Sequence, residues 1–168
     1  METKSLALEF TVLSAEELRV DNRYLKKSAF AVVSIDPHNF RMTKIDSEGG
    51  SHPAWKEKFV IDLPSQQRFI TLEVKCRTSS GEKSIGSVKV PVSEFIGGYT
   101  PANCLQFLSY RLLDARGNRN GIINFSVRVK GQEMACSSQA AGIGKIPIDG
   151  TRNFGGIVTG IPVWSVTR

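Results

Sequence analysis

The chain predicts an all-β fold, an eight-stranded antiparallel β-sandwich, on three observations. Apolar and polar residues alternate with a period of two in segment after segment. Turn signals such as Asp46-Ser47-Glu48-Gly49-Gly50 separate those segments at regular short intervals. Helical periodicity is almost missing. The clearest alternation lies at 52–76, where Trp55, Glu57, Phe59, Ile61 and Leu63 fall on one side of a strand and Lys56, Lys58 and Asp62 on the other.

In chain order, Leu6, Leu8, Phe10 and Val12 make the inward face of a first strand, followed by a polar, basic loop from Arg19 to Ser28. Ala31, Val33 and Ile35 face inward on a second strand that stops at Asp36-Pro37, and residues 40–45 form a short third. Pro53 cannot donate to a ladder, so it belongs to the turn that admits the fourth strand. After Pro64-Ser65-Gln66-Gln67, Ile70, Leu72 and Val74 point inward on the fifth. A loop from Arg77 to Lys83 precedes the sixth, Ile85 to Val90. Pro91 to Asn103 reads as a short helical turn plus loop, Leu105 to Leu113 as the seventh strand, Asp114 to Asn120 as a charged turn. The eighth is Gly121 to Lys130, with Ile123, Phe125, Val127 and Val129 on one face. Trp55, Phe59, Leu72, Val74, Phe125 and Val127 are expected to be buried together.

The domain boundary falls at residue 130. Residues 131–168 read as a Ser, Ala and Gly-rich flexible tail that ends in an apolar motif at 155–164, too apolar for an inert linker. That motif either packs back on the sandwich or docks a partner.

Length allows one domain with a sizeable core. The 22 basic and 16 acidic residues leave a net charge of +6, which favours anionic partners without choosing among them. Three widely spaced cysteines, Cys76, Cys104 and Cys136, argue for a reducing compartment and against a disulfide frame. With no run of about 18 apolar residues, membrane contact is expected to be peripheral and the protein cytosolic or nuclear.

The order of motifs resembles a C2 domain over roughly residues 5–130: Leu-Glu-Phe-Thr-Val-Leu-Ser-Ala-Glu-Glu-Leu, then Phe-Ala-Val-Val-Ser-Ile, His-Pro-Ala-Trp-Lys-Glu-Lys-Phe, Leu-Glu-Val and Ile-Gly-Ser-Val-Lys-Val-Pro. Because Gly-Ile-Ile-Asn-Phe-Ser-Val comes last, it is similar to the circularly permuted, type II Greek-key strand order. The segments Phe107–Leu112, Gly121–Asn124, Ala135–Ala141 and Val158–Trp164 resemble the plant copine-associated C2 proteins, the BON-associated (BAP-like) group. That resemblance implies a phospholipid-binding protein at the cytoplasmic face of the plasma membrane and in the cytosol. It also implies a copine-type C2 partner and negative regulation of cell death and defence responses.

Relatives that use calcium hold it with aspartates on two loops, and calcium requires six to eight oxygen ligands. Carried onto this chain, Asp21 is kept, Ser28 stands at a second position, and Cys76, Thr78 and Lys83 stand at three more. Asp21, Asp46 and Glu82 could furnish only a weak metal site, so calcium is not favoured and no cofactor is expected. The same loops carry Arg19, Arg23, Lys26, Lys27, Arg77 and Lys83, a basic rim for anionic lipid, with Tyr24 and Leu25 available to insert. A second lipid-binding candidate is the outward face of strands three and four, with Arg41, Lys44, Lys56 and Lys58, of which Lys44, Lys56 and Lys58 match the lysine cluster of lipid-selective relatives.

No catalytic constellation is present: His38 and His52 have no nucleophile at a recognisable spacing, and Gly142-Ile143-Gly144-Lys145 lacks the flanking residues of a phosphate loop. The aromatic residues do not interleave with a basic stripe, so no nucleic-acid partner is expected. A protein-interaction adaptor built on the sandwich and the tail, without significant lipid binding, is the alternative to the membrane reading.

Overall fold

The computed structural model describes residues 5–26, 28–97 and 100–131. Among the described residues there are ten strands: β1 (Ser5–Glu16), β2 (Arg19–Val20), β3 (Arg23–Tyr24), β4 (Ala29–Asp36), β5 (Asn39–Met42), β6 (Ala54–Pro64), β7 (Phe69–Thr78), β8 (Gly81–Pro91), β9 (Leu105–Leu113) and β10 (Arg119–Lys130). The only helical element among the described residues is one 3-10 turn, Val92–Glu94.

Eight of the strands run antiparallel in the order β5-β4-β7-β8-β9-β10-β1-β6. A single pairing, Ser87 with Leu113, links β8 to β9. There the ribbon folds over, so that β5-β4-β7-β8 packs against β9-β10-β1-β6. The last strand lies beside the first, as the type II order requires. Gly86 sits at the crossover, where an added Cβ would meet the Leu112 Cβ at 3.0 Å and the Leu113 carbonyl oxygen at 3.3 Å. A side chain there would require Leu112 to give by a few tenths of an ångström.

Both layers feed one core. Leu8, Phe10, Val12, Ile61, Leu63, Ile123, Phe125 and Val127 come from one side, and Ala31, Val33, Ile70, Leu72, Val74 and Val90 from the other. Phe10 and Phe125 stack with ring centroids 4.9 Å apart, and Tyr110 stacks on Phe125 at 6.0 Å.

Three expectations need correction. Trp55 and Phe59 are half-buried against the rim of this core, whereas Leu72, Val74, Phe125 and Val127 are fully inside it. The reason is position: β6 is an edge strand whose pairing with β1 slips between Val12 and Ser14, and Lys56 takes a positive φ of 51° there. The Trp55 indole N–H instead crosses to the Ala29 carbonyl at 3.1 Å. The third strand stops at Met42, because Thr43 bonds Ala31 with its backbone N–H and through its hydroxyl rather than continuing the ladder. Finally, residues 77–83 are not an open loop. β7 and β8 continue to a tight hairpin, with Arg77 opposite Glu82 and Thr78 opposite Gly81. The predicted tail lies outside the described residues.

Candidate functional site

One end of the sandwich gathers four connections: residues 17–28, the 43–53 turn, the β7–β8 hairpin and the β9–β10 turn. Local chemistry explains the first. Asp21 and Asn22 adopt positive φ of 50° and 63°, the left-handed pair that turns a two-residue hairpin, and they join β2 to β3. Leu18 is fully buried, and Val20 and Leu25 pack against the core beneath it. Leu18 donates its N–H to Ser51 and Leu25 to Leu18. Leu25 was expected to insert into a bilayer; the structure spends it on holding the hairpin down. Tyr24 remains outside and 57% exposed, with the Arg19 guanidinium 4.6 Å over its ring and donating to its hydroxyl at 2.9 Å.

The metal reading loses its ligands one by one. Lys83 places its ammonium 3.0 Å from both carboxylate oxygens of Asp21. That pairing also corrects the picture of Lys83 as an uncommitted rim cation. Asp46 accepts the N–H groups of Glu48 and Gly49 on one oxygen and of Ala54 on the other. Those backbone bonds, Gly49 first and then Ala54 and Glu48, hold its carboxyl below the ordinary carboxylate range. Glu82 is exposed on the far strand of the hairpin. Among the described residues no three His, Cys, Asp or Glu side chains cluster as a metal site would need.

Of the predicted basic rim, Arg23, Lys26 and Arg77 are exposed at this end. They have no carboxylate within ion-pair distance among the described residues. Lys27 lies outside the described residues.

The second candidate face is not a single pair of neighbouring strands. The third and fourth strands are β5 and β6, at opposite ends of the strand order. Arg41 lies on β5 in one layer and Lys56 and Lys58 on β6 in the other, while the Lys44 N–H, past the end of β5, reaches the Glu57 carboxylate of β6 at 2.9 Å. Lys58 is already engaged with Glu9 at 2.8 Å, and Lys130 approaches the other Glu9 oxygen at 3.6 Å. The Lys58 hydrogen bond holds the Glu9 carboxyl below its usual range. Layer assignment separates Arg41 from the β6 lysines, whereas Lys44 stays beside β6.

Cys76 is buried in the core, and burial pushes its thiol up. Cys104 is exposed, and Cys136 lies outside the described residues. His38 donates its backbone N–H to Asp36, and the His52 ring shares a hydrogen bond with Ser51 at 2.9 Å.

Sequence reasoning missed Asn120. Its amide accepts the Arg19 N–H at 2.9 Å and donates to the Arg19 and Ile85 carbonyls at 2.8 and 2.9 Å, tying the β2–β3 hairpin to β8. The Asn-Gly pair at 120–121 was legible as a turn signal, but its partners 101 and 35 residues away were not. It also passed over Arg116 and Arg119, which line a cleft beside that staple.

The fold and this loop end define a C2-type module, and the C2 domain model matches residues 6–107. The chain belongs to the C2 domain family. Within it, the chain is 37% identical to BON1-associated protein 2 of Arabidopsis thaliana, over 94% of this chain and 93% of that one, which groups it with the plant BAP-like C2 proteins. It is also 32% identical to the Protein SRC2 homolog of Arabidopsis thaliana, over 76% of this chain and 41% of that protein. Among solved structures, a C2 domain of plant Extended Synaptotagmin 1 superposes with a TM-score of 0.61 at 16% identity, over 74% of this chain and 93% of that one. A human GIVD cytosolic phospholipase A2 structure does so with a TM-score of 0.61 at 18% identity, over 78% of this chain and 18% of that one. Likeness at that identity speaks for the fold alone.

Proposed function

We propose that this chain is a non-enzymatic peripheral membrane protein that docks on anionic phospholipid through its loop end with little need for calcium. It works at the cytoplasmic face of the plasma membrane with a copine-type C2 partner, and restrains cell death and defence responses. The observation that carries the lipid reading is the Lys83 ammonium seated on both oxygens of Asp21, beside Arg23, Lys26 and Arg77, which are unpaired among the described residues. A calcium-using loop end is negative until metal binds it; here an internal cation already neutralises the aspartate, and the surrounding charge is positive. Each cation held near an anionic bilayer adds about 1 kcal/mol of attraction. The name of the BON1-associated relative supports the partner assignment.

Co-sedimentation of the full chain with phosphatidylserine vesicles, in calcium and in chelator, tests this. Equal binding in both, and none to phosphatidylcholine vesicles, is the expected result. Binding only in calcium would refute the calcium-independent mechanism, and no binding in either condition would leave the protein-interaction adaptor in its place.

A further inference from the structure

β6 is the long open edge of the sandwich. It ends the order β5-β4-β7-β8-β9-β10-β1-β6 with 11 residues, whereas the opposite edge, β5, has 4. Among the described residues β6 pairs with β1 alone, and no turn or loop backbone bonds Lys58–Asp62. An open edge of that length invites another strand, and proteins block such edges with a bulge, a proline or charge. Here the blocks stand at the two ends: Lys56 takes a positive φ of 51°, and Pro64 has no N–H to give. Between them, Glu57 to Leu63 is plain strand centred on Val60. Val60 is 53% exposed on the outward face, flanked there by Lys58 and Asp62. Asp62 is exposed and has no cation within ion-pair distance among the described residues.

We propose that β6 pairs with β6 of a second copy of this chain, antiparallel about a two-fold axis through Val60. The strand is complementary to itself in that register. Val60 faces the partner's Val60, Lys58 faces the partner's Asp62, and by symmetry Asp62 faces the partner's Lys58. One apolar pair therefore sits between two pairs of opposite charge. Residues directly opposite on neighbouring strands have Cβ atoms about 4.5–5.5 Å apart, close enough for both kinds of contact. Lys58 already bonds Glu9 at 2.8 Å, but an ammonium has several donors and this side chain is 59% exposed. Neighbouring registers lose the match. Centring on Phe59 sets Val60 against the partner's Lys58, and centring on Ile61 sets it against the partner's Asp62. A slip that set outward residues against inward ones would turn the core face of one copy to solvent. On the inner side Phe59, half-buried in the single chain, falls opposite the partner's Ile61, so the second copy covers the rim. A single short ladder buries less than the roughly 1,200–2,000 Å² of a stable interface, so the association is weak and depends on concentration. The loop-end cations Arg23, Lys26 and Arg77 lie on other elements, and the pairing stands apart from lipid docking.

The test is sedimentation velocity of the full chain without lipid, at about 1 µM to 1 mM, the range in which a weak interface associates. The expected result is a mass that rises from monomer toward dimer. Asp62→Lys, which sets lysine against lysine on both sides of the apolar pair, should weaken association by about tenfold or more, and Lys58→Asp/Asp62→Lys should restore it. Both positions are exposed, so the melting temperature confirms that each variant is folded. In a Cys104→Ser/Cys136→Ser background, Val60→Cys should form a disulfide between two copies under oxidised glutathione. Lys58→Cys should not, because position 58 lies opposite position 62 of the partner and not opposite itself. A monomer at every concentration would leave the edge to a strand of another protein and overturn the proposal. A dimer that Asp62→Lys leaves intact, or a folded double variant that stays monomeric, would overturn it too. Equal cross-linking at positions 58 and 60 would refute the register.

Discussion

Replacing Arg23, Lys26 and Arg77 together by glutamine separates the loop end from every other basic surface on the molecule. All three are exposed and unpaired among the described residues, so the substitutions break no ion pair and open no cavity. At about 1 kcal/mol per cation near an anionic bilayer, the triple variant loses roughly 3 kcal/mol, a fall of about 150-fold in partitioning. Stability should hold within about 0.5 kcal/mol per site, as for other surface changes. The control is Lys56→Gln/Lys58→Gln. Lys58 already spends its charge on Glu9, and both residues sit on the edge strand of the other layer, so their removal should cost far less. The assay is co-sedimentation with phosphatidylserine vesicles across a salt series. Wild-type binding should weaken as the Debye length drops below its value of about 8 Å at physiological salt. A triple variant that still binds while the Lys56/Lys58 variant detaches would place the membrane on the β6 face and refute the reasoning.

Other outcomes follow from the packing. Phe125→Ala, which empties a fully buried position stacked on Phe10 and Tyr110, should cost about 3–5 kcal/mol by urea unfolding, whereas half-buried Phe59→Ala should cost only about 1–2 kcal/mol. Asp46→Ala removes three hydrogen bonds, two of them to exposed N–H groups that water can take, and should cost about 1 kcal/mol at neutral pH. Because those bonds lower the folded carboxyl below its unfolded value, its stabilisation is present above the unfolded value of about 3.9 and disappears as pH falls through the folded one. The gap between wild type and variant should accordingly narrow when the urea midpoints are measured in strong acid. Asn120→Ala should release the β2–β3 hairpin, read as faster hydrogen exchange at the Leu18 and Leu25 amides with little change at Leu72 or Phe125. Unchanged exchange at Leu18 and Leu25 would show that Leu18 burial alone holds the hairpin.

Much of the sandwich was legible in the chain because side chains alternate between the two faces of a strand. Slipping a strand such as β7 by one residue would turn Ile70, Leu72 and Val74 out of the core and Thr71, Glu73 and Lys75 into it. The alternation therefore specified both the strand and its inward face, for β1, β7 and β10 alike. Turn chemistry was partly local too: Asp46 and its glycines announced their turn. What the alternation did not contain was which layer a strand would join, or where its edge would lie. Trp55 and Phe59 carry the pattern of core residues, yet an edge strand with a slipped pairing leaves them half outside. Charge partners were out of reach for the same reason. The Lys83–Asp21 pair spans 62 residues and the Asn120–Arg19 staple 101, and neither spacing leaves a periodic trace in the sequence. Residue types at the loop end could be read from the chain; whether each charge was spent inside the protein or left for a ligand was decided only when the hairpins met.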